Sequence, residues 1–305
     1  MKNIACVGVD WGTTSFRLWA IDKSNDVVAS RRGNFGMATL KQADFNTVLE
    51  ENLKAIGVAT VVPVVICGMA GAAQGWIQAP YVKTPYNLLS VPHQAIQVPG
   101  IERDVQILPG IAQHLDSAPD VMRGEETQLL GAVHHQSLAG TFCLPGTHSK
   151  WAWVEEGVLN RFSTAMTGEL FGLLATHSTL SPYIDSNEGS GDADLSFNQA
   201  VLQAFETPES ALQRLFSIRS RSLLKEKTAT TAMSSRLSGL LIGLEIAGMY
   251  KYIDNEVTLI AAGRLGRNYA QAFDVVGLNY STLDAEYATR TGLSLAAKII
   301  WPGVL

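Results

Sequence analysis

An α/β fold of two similar domains is what the sequence predicts, and three observations predict it. At 305 residues the chain has length for two domains of the usual ~100–200 residues each. Apolar runs of strand length alternate with segments of helical periodicity along most of it. Each half also begins alike: a buried strand enters a Gly-Thr turn, returns as a second strand and continues toward a helix. A duplicated architecture is the natural reading.

The elements follow in order. Ile4 to Val9 is a short apolar run that reads as a buried strand, Asp10 to Ser15 turns the chain, and Phe16 to Ile21 reads as the return strand. Asp26 to Arg32 completes an antiparallel meander. From Asp44, the residues Phe45, Val48, Leu49, Leu53 and Ile56 recur at helical spacing. Val61 to Ile66 is another buried strand, with Pro63 favouring an edge or a strand start. It empties into Gly68-Met69-Ala70-Gly71, and Asp104 to Leu108 forms a further strand closed by Pro109-Gly110. The second half opens on a helix from Glu125 to Gln136 and a strand from Thr141 to Leu144. Trp151 to Val154 and Val158 to Phe162 pair as a hairpin around Glu155-Glu156-Gly157. Gly168 to His177 is helical, 185–194 is a polar, turn-rich segment expected to be mobile, and helices follow near 197–206, 208–224 and 229–252. Glu256 to Ala262 is a strand, Gly263 to Gly266 a turn, Asn268 to Phe273 opens a helix, and a last helix runs from about Asp284 to Ile300.

Composition narrows the function. Hydrophobic residues at 47% and charged residues at 17% describe a globular chain. A net charge of −5 gives no draw toward a nucleic-acid backbone. No run approaches the ~20 apolar residues of a membrane span, and the N-terminal apolar stretch is too short for a signal peptide. Cys6, Cys67 and Cys143 are widely spaced among apolar residues, which reads as reduced core thiols in a cytoplasmic protein.

Familiar phosphate motifs are absent: there is no G-x-x-x-x-G-K-[ST] and no G-x-G-x-x-G opening a helix. Asp10-Trp11-Gly12-Thr13-Thr14-Ser15 is a phosphate turn of another kind. Gly12 lets backbone N–H groups approach an anion, and three hydroxyls follow as donors. Asp10, at the strand end, suits a hydrated Mg²⁺. A polar β-turn has the same composition. Pro145-Gly146-Thr147-His148-Ser149-Lys150 repeats the design at the start of the second half. Two such turns at equivalent places in a duplicated chain suit a nucleotide's phosphates. Ala262-Gly263 offers a small-residue surface to a flat base, or simply a helix-packing glycine. Between the turns lies Met122-Arg123-Gly124-Glu125-Glu126-Thr127-Gln128. An acidic residue after Gly is a capping carboxylate in one reading, and a general base for an attacking hydroxyl in the other.

These strings carry a resemblance. Asp-x-Gly-Thr-Thr-Ser, the second Gly-Thr hairpin and the late Ala-Gly turn resemble the hexokinase–actin–Hsp70 superfamily. Val9 to Trp19, Gly68 to Gly71, Met122 to Gln128, Leu144 to Trp151 and Thr164 to Phe171 look like the 2-dehydro-3-deoxygalactonokinase family. The match spans most of the chain and is weakest around 180–230. The resemblance implies two ribonuclease-H-like domains flanking a central cleft: 1–137 with the C-terminal helix 290–305, and 138–289 as the nucleotide-binding domain. It implies ATP-dependent phosphorylation of the C6 hydroxyl of 2-dehydro-3-deoxy-D-galactonate, a step of galactonate breakdown, with a homodimer compatible with the sequence. ATP and Mg²⁺ are the implied cofactors, with Asp10 on the metal. ATP would meet Gly12, Thr13, Thr14, Ser15, Gly146, Thr147, His148, Ser149, Ala262 and Gly263. Glu125 would be the base, although larger sugar kinases carry Asp there and Glu126 is its neighbour. Arg17, Arg123 and Gly68-Met69-Ala70-Gly71 are the candidates for the substrate carboxylate. A kinase of another small sugar or carboxylic acid and an actin- or chaperone-like regulatory ATPase are the alternatives.

Overall fold

The opening apolar run becomes β1 (Ile4–Trp11), with Cys6, Val7, Val9 and Trp11 wholly buried. The computed structural model describes residues 4–135, 139–184, 195–224 and 230–305; the segment 185–194 and the boundary expected at 137 lie outside them. β2 (Phe16–Asp22) and β3 (Val27–Gly33) return antiparallel, as the alternation requires. α1 (Asp44–Ala55) sets Phe45, Leu49 and Leu53 into the core, one turn apart. β4 (Val64–Gly68) lies parallel to β1. It starts three residues later than the apolar run suggests, and Val61 is 90% exposed. Pro63 cannot donate to a ladder; its carbonyl accepts from Val7 N instead, and pairing begins at the next residue.

Short strands fill the next stretch: β5 (Tyr81–Lys83), β6 (Tyr86–Asn87), β7 (Ile96–Gln97), β8 (Val105–Ile107), β9 (Gly110–Gln113) and β10 (Asp120–Met122). Runs of two to four residues carry no readable period, and of these only β8 is expected from the sequence. α2 (Glu125–His135) follows. The second half is β11 (Gly140–Leu144), β12 (Ser149–Glu155), β13 (Val158–Ala165), α3 (Thr167–His177), α4 (Leu195–Glu206), α5 (Ala211–Leu223) and α6 (Thr230–Tyr250). β14 (Val257–Ala261), α7 (Gly263–Val276), β15 (Tyr280–Asp284) and α8 (Ala285–Ile300) complete it. Two local expectations change. Gly263 to Gly266 is the first turn of α7 rather than a separate turn, and 280–284 is a strand whose polar sequence hides it.

The chain divides into two compact units: Met1–Ala139 with Trp153–Phe162 and Ala285–Leu305, and Gly140–Ala152 with Ser163–Asp284. In the first, the sheet runs β3-β2-β1-β4-β8-β7. In the second, the order is β13-β12-β11-β14-β15. The outer end of the β12–β13 hairpin belongs to the first unit, where Val158 and Leu159 pair with Asn87 and Tyr86. In each sheet a three-stranded meander is thus extended beyond its first strand by two parallel strands, β4 and β8 after β1, β14 and β15 after β11. This repeated order bears out the ribonuclease-H-like α/β expectation. All three cysteines are buried and free. Among the described residues no helix is long and apolar enough to cross a membrane.

Candidate active site

In the first unit, the ends of β1 and β4 meet the start of α2. Asp10 pairs in register with Cys67 and Trp11 with Gly68. Gly68 has φ +89°, and a Cβ there would come within 2.7 Å of the Trp11 carbonyl. Gly124, at φ +107°, lies against Gly68 and begins the approach to α2. Only glycine adopts such conformations without strain, so these two positions let three backbones converge on Asp10.

The turn after β1 is braced from beneath. Trp11 packs against Phe16, Phe45 and Trp76, and its indole N–H donates to Phe35 O at 2.7 Å. Met37 N and Ala38 N then donate to the Gly12 and Thr13 carbonyls at 3.0 and 2.9 Å. The Gly12 amide is not turned outward: it donates to Ser15 O at 2.8 Å, closing the turn on itself. This corrects the expectation of a Gly12 N–H aimed at phosphate. Thr13, Thr14 and Ser15 are exposed, as a ligand-facing role needs.

Asp10 accepts from Arg17 Nη2 at 2.6 Å across the β1–β2 pair. Burial pushes the Asp10 carboxyl above its ordinary value; Arg17 opposes that, and the charges of Glu125 and Glu286 add to it. Arg17 is thus paired with Asp10 through Nη2, while its buried Nε has no hydrogen-bond partner. Arg123 has no carboxylate partner among the described residues. Its Nη2 donates to Ala79 O at 2.9 Å, and its guanidinium stacks 4.3 Å over the Tyr81 ring. Its Nε and Nη1 are buried without a hydrogen-bond partner. In the Gly68–Gly71 loop, Ala70 and Gly71 are buried, and their carbonyls hold residues 76–79. The loop is thus a tight turn, braced through its carbonyls, in which Met69 is half-buried. A Cβ at Gly71 would meet Arg123 Nη1 at 2.7 Å, so this glycine makes room for the guanidinium.

Both glutamates of α2 reach back to the amides before them. Glu125 Oε2 accepts from Arg123 N at 3.1 Å, and Glu126 Oε2 from Gly124 N at 2.6 Å. Glu126 is 1% exposed and also accepts from Thr127 Oγ1 at 3.0 Å. Burial first, then the Glu125 charge, raises its carboxyl to about 7, against the pull of its hydrogen bonds. Glu125 stays half-buried.

In the second unit, the Gly146–Thr147 turn is backed by the N-terminus of α3. Glu169 N donates to Thr147 O at 2.9 Å, and a Cβ on Gly168 would strike Gly146 O at 2.5 Å. His148 Nε2 lies 2.5 Å from Glu169 Oε2. Ser149, expected to offer its hydroxyl to phosphate, is fully buried and donates to Glu245 Oε1 at 2.7 Å. Ser149 opens β12 with its side chain in the core, whereas Thr147 and His148, in the turn before it, are exposed. Beside the turn is a pocket of about 280 Å³, bounded by Gly146 and Gly168 and walled by Phe171, Leu241, Ile242 and Leu265. Ala262 caps α7 and Gly263 begins it, immediately before Arg264, which lines the pocket. The sequence reading missed the apolar walls, which look like any core residue. It also missed Arg264 and Asn268, whose i, i+4 spacing at the start of α7 was the available signal.

The family model for 2-keto-3-deoxy-galactonokinase matches residues 10–296. The chain belongs to this family. It is 45% identical over 298 residues to a probable 2-dehydro-3-deoxygalactonokinase of Rhizobium meliloti strain 1021, covering 96% of this chain and 97% of that one. It is 33% identical to the 2-dehydro-3-deoxygalactonokinase of Escherichia coli K12, covering 96% and 98%. A crystal structure from Sinorhizobium meliloti, of a protein described as a 2-dehydro-3-deoxygalactonokinase, superposes with a TM-score of 0.93 at 44% identity. That superposition covers 97% of this chain and 99% of that one. This member of the galactonokinase family is accordingly a kinase, a phosphotransferase with an alcohol group as acceptor. The regulatory-ATPase alternative is not favoured.

Proposed function

We propose that this kinase transfers the terminal phosphoryl group of ATP to the C6 hydroxyl of 2-dehydro-3-deoxy-D-galactonate, in the cytoplasm, with the acceptor chemistry carried by the first unit and the nucleotide held by the second. The observation that carries the acceptor assignment is the contrast between two adjacent carboxylates. Glu126 is sealed and engaged by Gly124 and Thr127, whereas Glu125 is half-buried and near enough to Asp10 to raise its carboxyl. Glu125 is the base: it accepts the proton of the attacking hydroxyl, while Glu126 fixes the Gly124 bend. Arg17 holds Asp10. Arg123, with Nε and Nη1 unpaired on different edges of its guanidinium, meets the substrate carboxylate through a charge-assisted hydrogen bond.

The residues present fit Mg²⁺. Mg²⁺ is usually held by one or two carboxylates plus substrate phosphates and water, and Asp10 at the end of β1 is such a carboxylate. The Glu125 charge raises the Asp10 carboxyl, a repulsion that a divalent cation would relieve. Among the described residues no cluster of three or more ligating side chains competes with that mode. When bound, Mg²⁺ would neutralise charge on the phosphates. On the first unit, the Thr13 amide and the hydroxyls of Thr13, Thr14 and Ser15 would be phosphate donors; on the second, the amides of Gly146 and Thr147 would be, and charge stabilisation of this kind is the larger share of such catalysis. His148 follows Thr147 and is paired with Glu169.

The reading is tested by ADP release with neutral sugars, aldonates and 2-keto-3-deoxy acids as acceptors. The 2-keto-3-deoxy acid should be phosphorylated far better than its neutral alcohol analogue. Equal turnover of the two would refute carboxylate recognition, and ADP release without any acceptor would refute the kinase assignment.

A further inference from the structure

Glu245, on α6, has no part in the chemistry above, yet its carboxylate gathers four hydrogen bonds while only 6% exposed. Oε1 accepts from Ser149 Oγ at 2.7 Å and from Trp151 Nε1 at 2.8 Å. Oε2 accepts from Tyr269 OH at 2.6 Å and from Thr167 Oγ1. One side chain therefore ties together the strand leaving the Gly146–Thr147 turn, the helix backing that turn, and the helix whose first turns line the pocket.

The direction of these bonds has a chemical consequence. A carboxylate only accepts, and a hydroxyl owns one proton and two lone pairs. Each hydroxyl that gives its proton to Glu245 keeps only lone pairs for any other partner. Burial, together with the Glu245 charge, pushes the Tyr269 phenol well above its ordinary value, so it keeps the proton it donates. Ser149 is fully enclosed, but Thr167 and Tyr269 line the pocket.

We propose that Glu245 is a positioning residue that fixes the polarity of this pocket: it makes Thr167 and Tyr269 pure acceptors, so the pocket selects a nucleotide that presents a hydrogen-bond donor to them. This rests on the proposal above that the second unit holds the nucleotide, and takes the pocket beside the Gly146–Thr147 turn as its seat. Two parts of ATP have that chemistry, the ribose hydroxyls and the exocyclic amine of the base. A hydrogen or a carbonyl in the same place leaves buried acceptors unpaired, which a site built for a donor discriminates against strongly.

The test is equilibrium binding of ATP, 2′-deoxy-ATP, 3′-deoxy-ATP and inosine triphosphate to the full chain and to Tyr269→Phe, Thr167→Val and Glu245→Gln, each checked by thermal unfolding. The unaltered enzyme should bind at least one analogue about 10-fold more weakly than ATP, and which one distinguishes ribose from base. That discrimination should vanish in Tyr269→Phe or in Thr167→Val. Glu245→Gln sets an amide NH₂ against one pair of donors, so a hydroxyl must reverse. KM for ATP should then rise about 10-fold, by far more than kcat falls or the sugar-acid KM moves. Equal binding of all four nucleotides overturns the proposal, as does discrimination that survives both single-hydroxyl variants. If Glu245→Gln does not fold, those two variants decide. If the unaltered enzyme binds no nucleotide, the reading of the pocket falls first and this inference with it.

Discussion

The two Gly-Thr turns of this chain are near copies in sequence and differ in almost everything that surrounds them. The first, Gly12–Ser15, closes on its own Gly12 amide, exposes three hydroxyls and stands on an aromatic cluster around Trp11. A charged residue, Asp10, sits at its foot in an ion pair. The second has its serine buried under Glu245 and presents Gly146 and Thr147, pressed from behind by the start of α3. A shared motif thus specifies a bend, while the packing beneath decides what the bend offers: hydroxyls and nearby carboxylates in one case, a braced backbone in the other. The proposed function separates acceptor chemistry from nucleotide binding along that line.

The largest expected effect breaks the separation if it fails. Glu125→Ala should lower kcat by ~10²–10⁴, the usual worth of a positioned general base, with KM for ATP little changed. If Glu126→Ala has this effect and Glu125→Ala has not, the base is the buried glutamate. If neither matters, the segment only caps α2.

Next is Arg123→Ala, measured as kcat/KM for the acid and for its neutral alcohol analogue. Stranding a buried carboxylate costs about 2–5 kcal/mol, and the loss should fall on the acid alone. Arg17→Ala should instead resemble Asp10→Asn, since each removes one half of the same ion pair. In Asp10→Asn, extra Mg²⁺ should partly restore activity; full activity without it would remove the metal role.

On the second turn, Gly168→Ala places a Cβ 2.5 Å from Gly146 O and 2.9 Å from Thr147 Cα. Backbone cannot swing aside as a side chain can, so the turn must move, at about 1–3 kcal/mol. ATP affinity should drop while the sugar-acid KM holds. An unchanged ATP affinity would show that the turn does not bind the nucleotide.

What could be read in the sequence follows the same division between bend and packing. The meander strands, α1 and the two turns were legible because alternation, 3.6-residue periodicity and Gly-Thr strings are local. Asp10, Gly124 and Glu125 could be proposed as a site from their motifs, and the structure brings the end of β1 and the start of α2 together through Gly68 and Gly124. For Arg17 the sequence left two readings, a substrate contact or an ion pair with a neighbouring carboxylate; the pair with Asp10 is present, because the two face each other across a hairpin. Nothing local marked Glu245: its partners come from residues 149 to 269, and a lone Glu in an apolar helix looks like an exposed one. β15 and, apart from β8, the strands between 81 and 122 were missed because pairing, rather than pattern, makes them strands.

The smallest effect isolates Glu126 from its neighbour. Its folded-state carboxyl titrates at about 7 rather than the ordinary 4.5, chiefly through burial and then through the Glu125 charge. A carboxyl raised in the folded state binds its proton more tightly there than in the unfolded chain. Its contribution to stability is therefore fully present below about pH 4.5 and is lost as pH rises through about 7. Between about pH 6 and about pH 8 the loss should be about 1 kcal/mol, seen as a falling midpoint in denaturant unfolding. Glu126→Gln mimics the protonated group and cannot ionise, so its stability should decline less over that window and exceed that of the unaltered enzyme at pH 8. Its amide oxygen can still accept from Gly124 N, which keeps the bend before α2, so kcat should survive where Glu125→Ala abolishes it. Parallel pH curves for the two proteins would mean that Glu126 is not the titrating group. A loss of kcat in Glu126→Gln without loss of stability would move the base from the half-buried glutamate to the buried one.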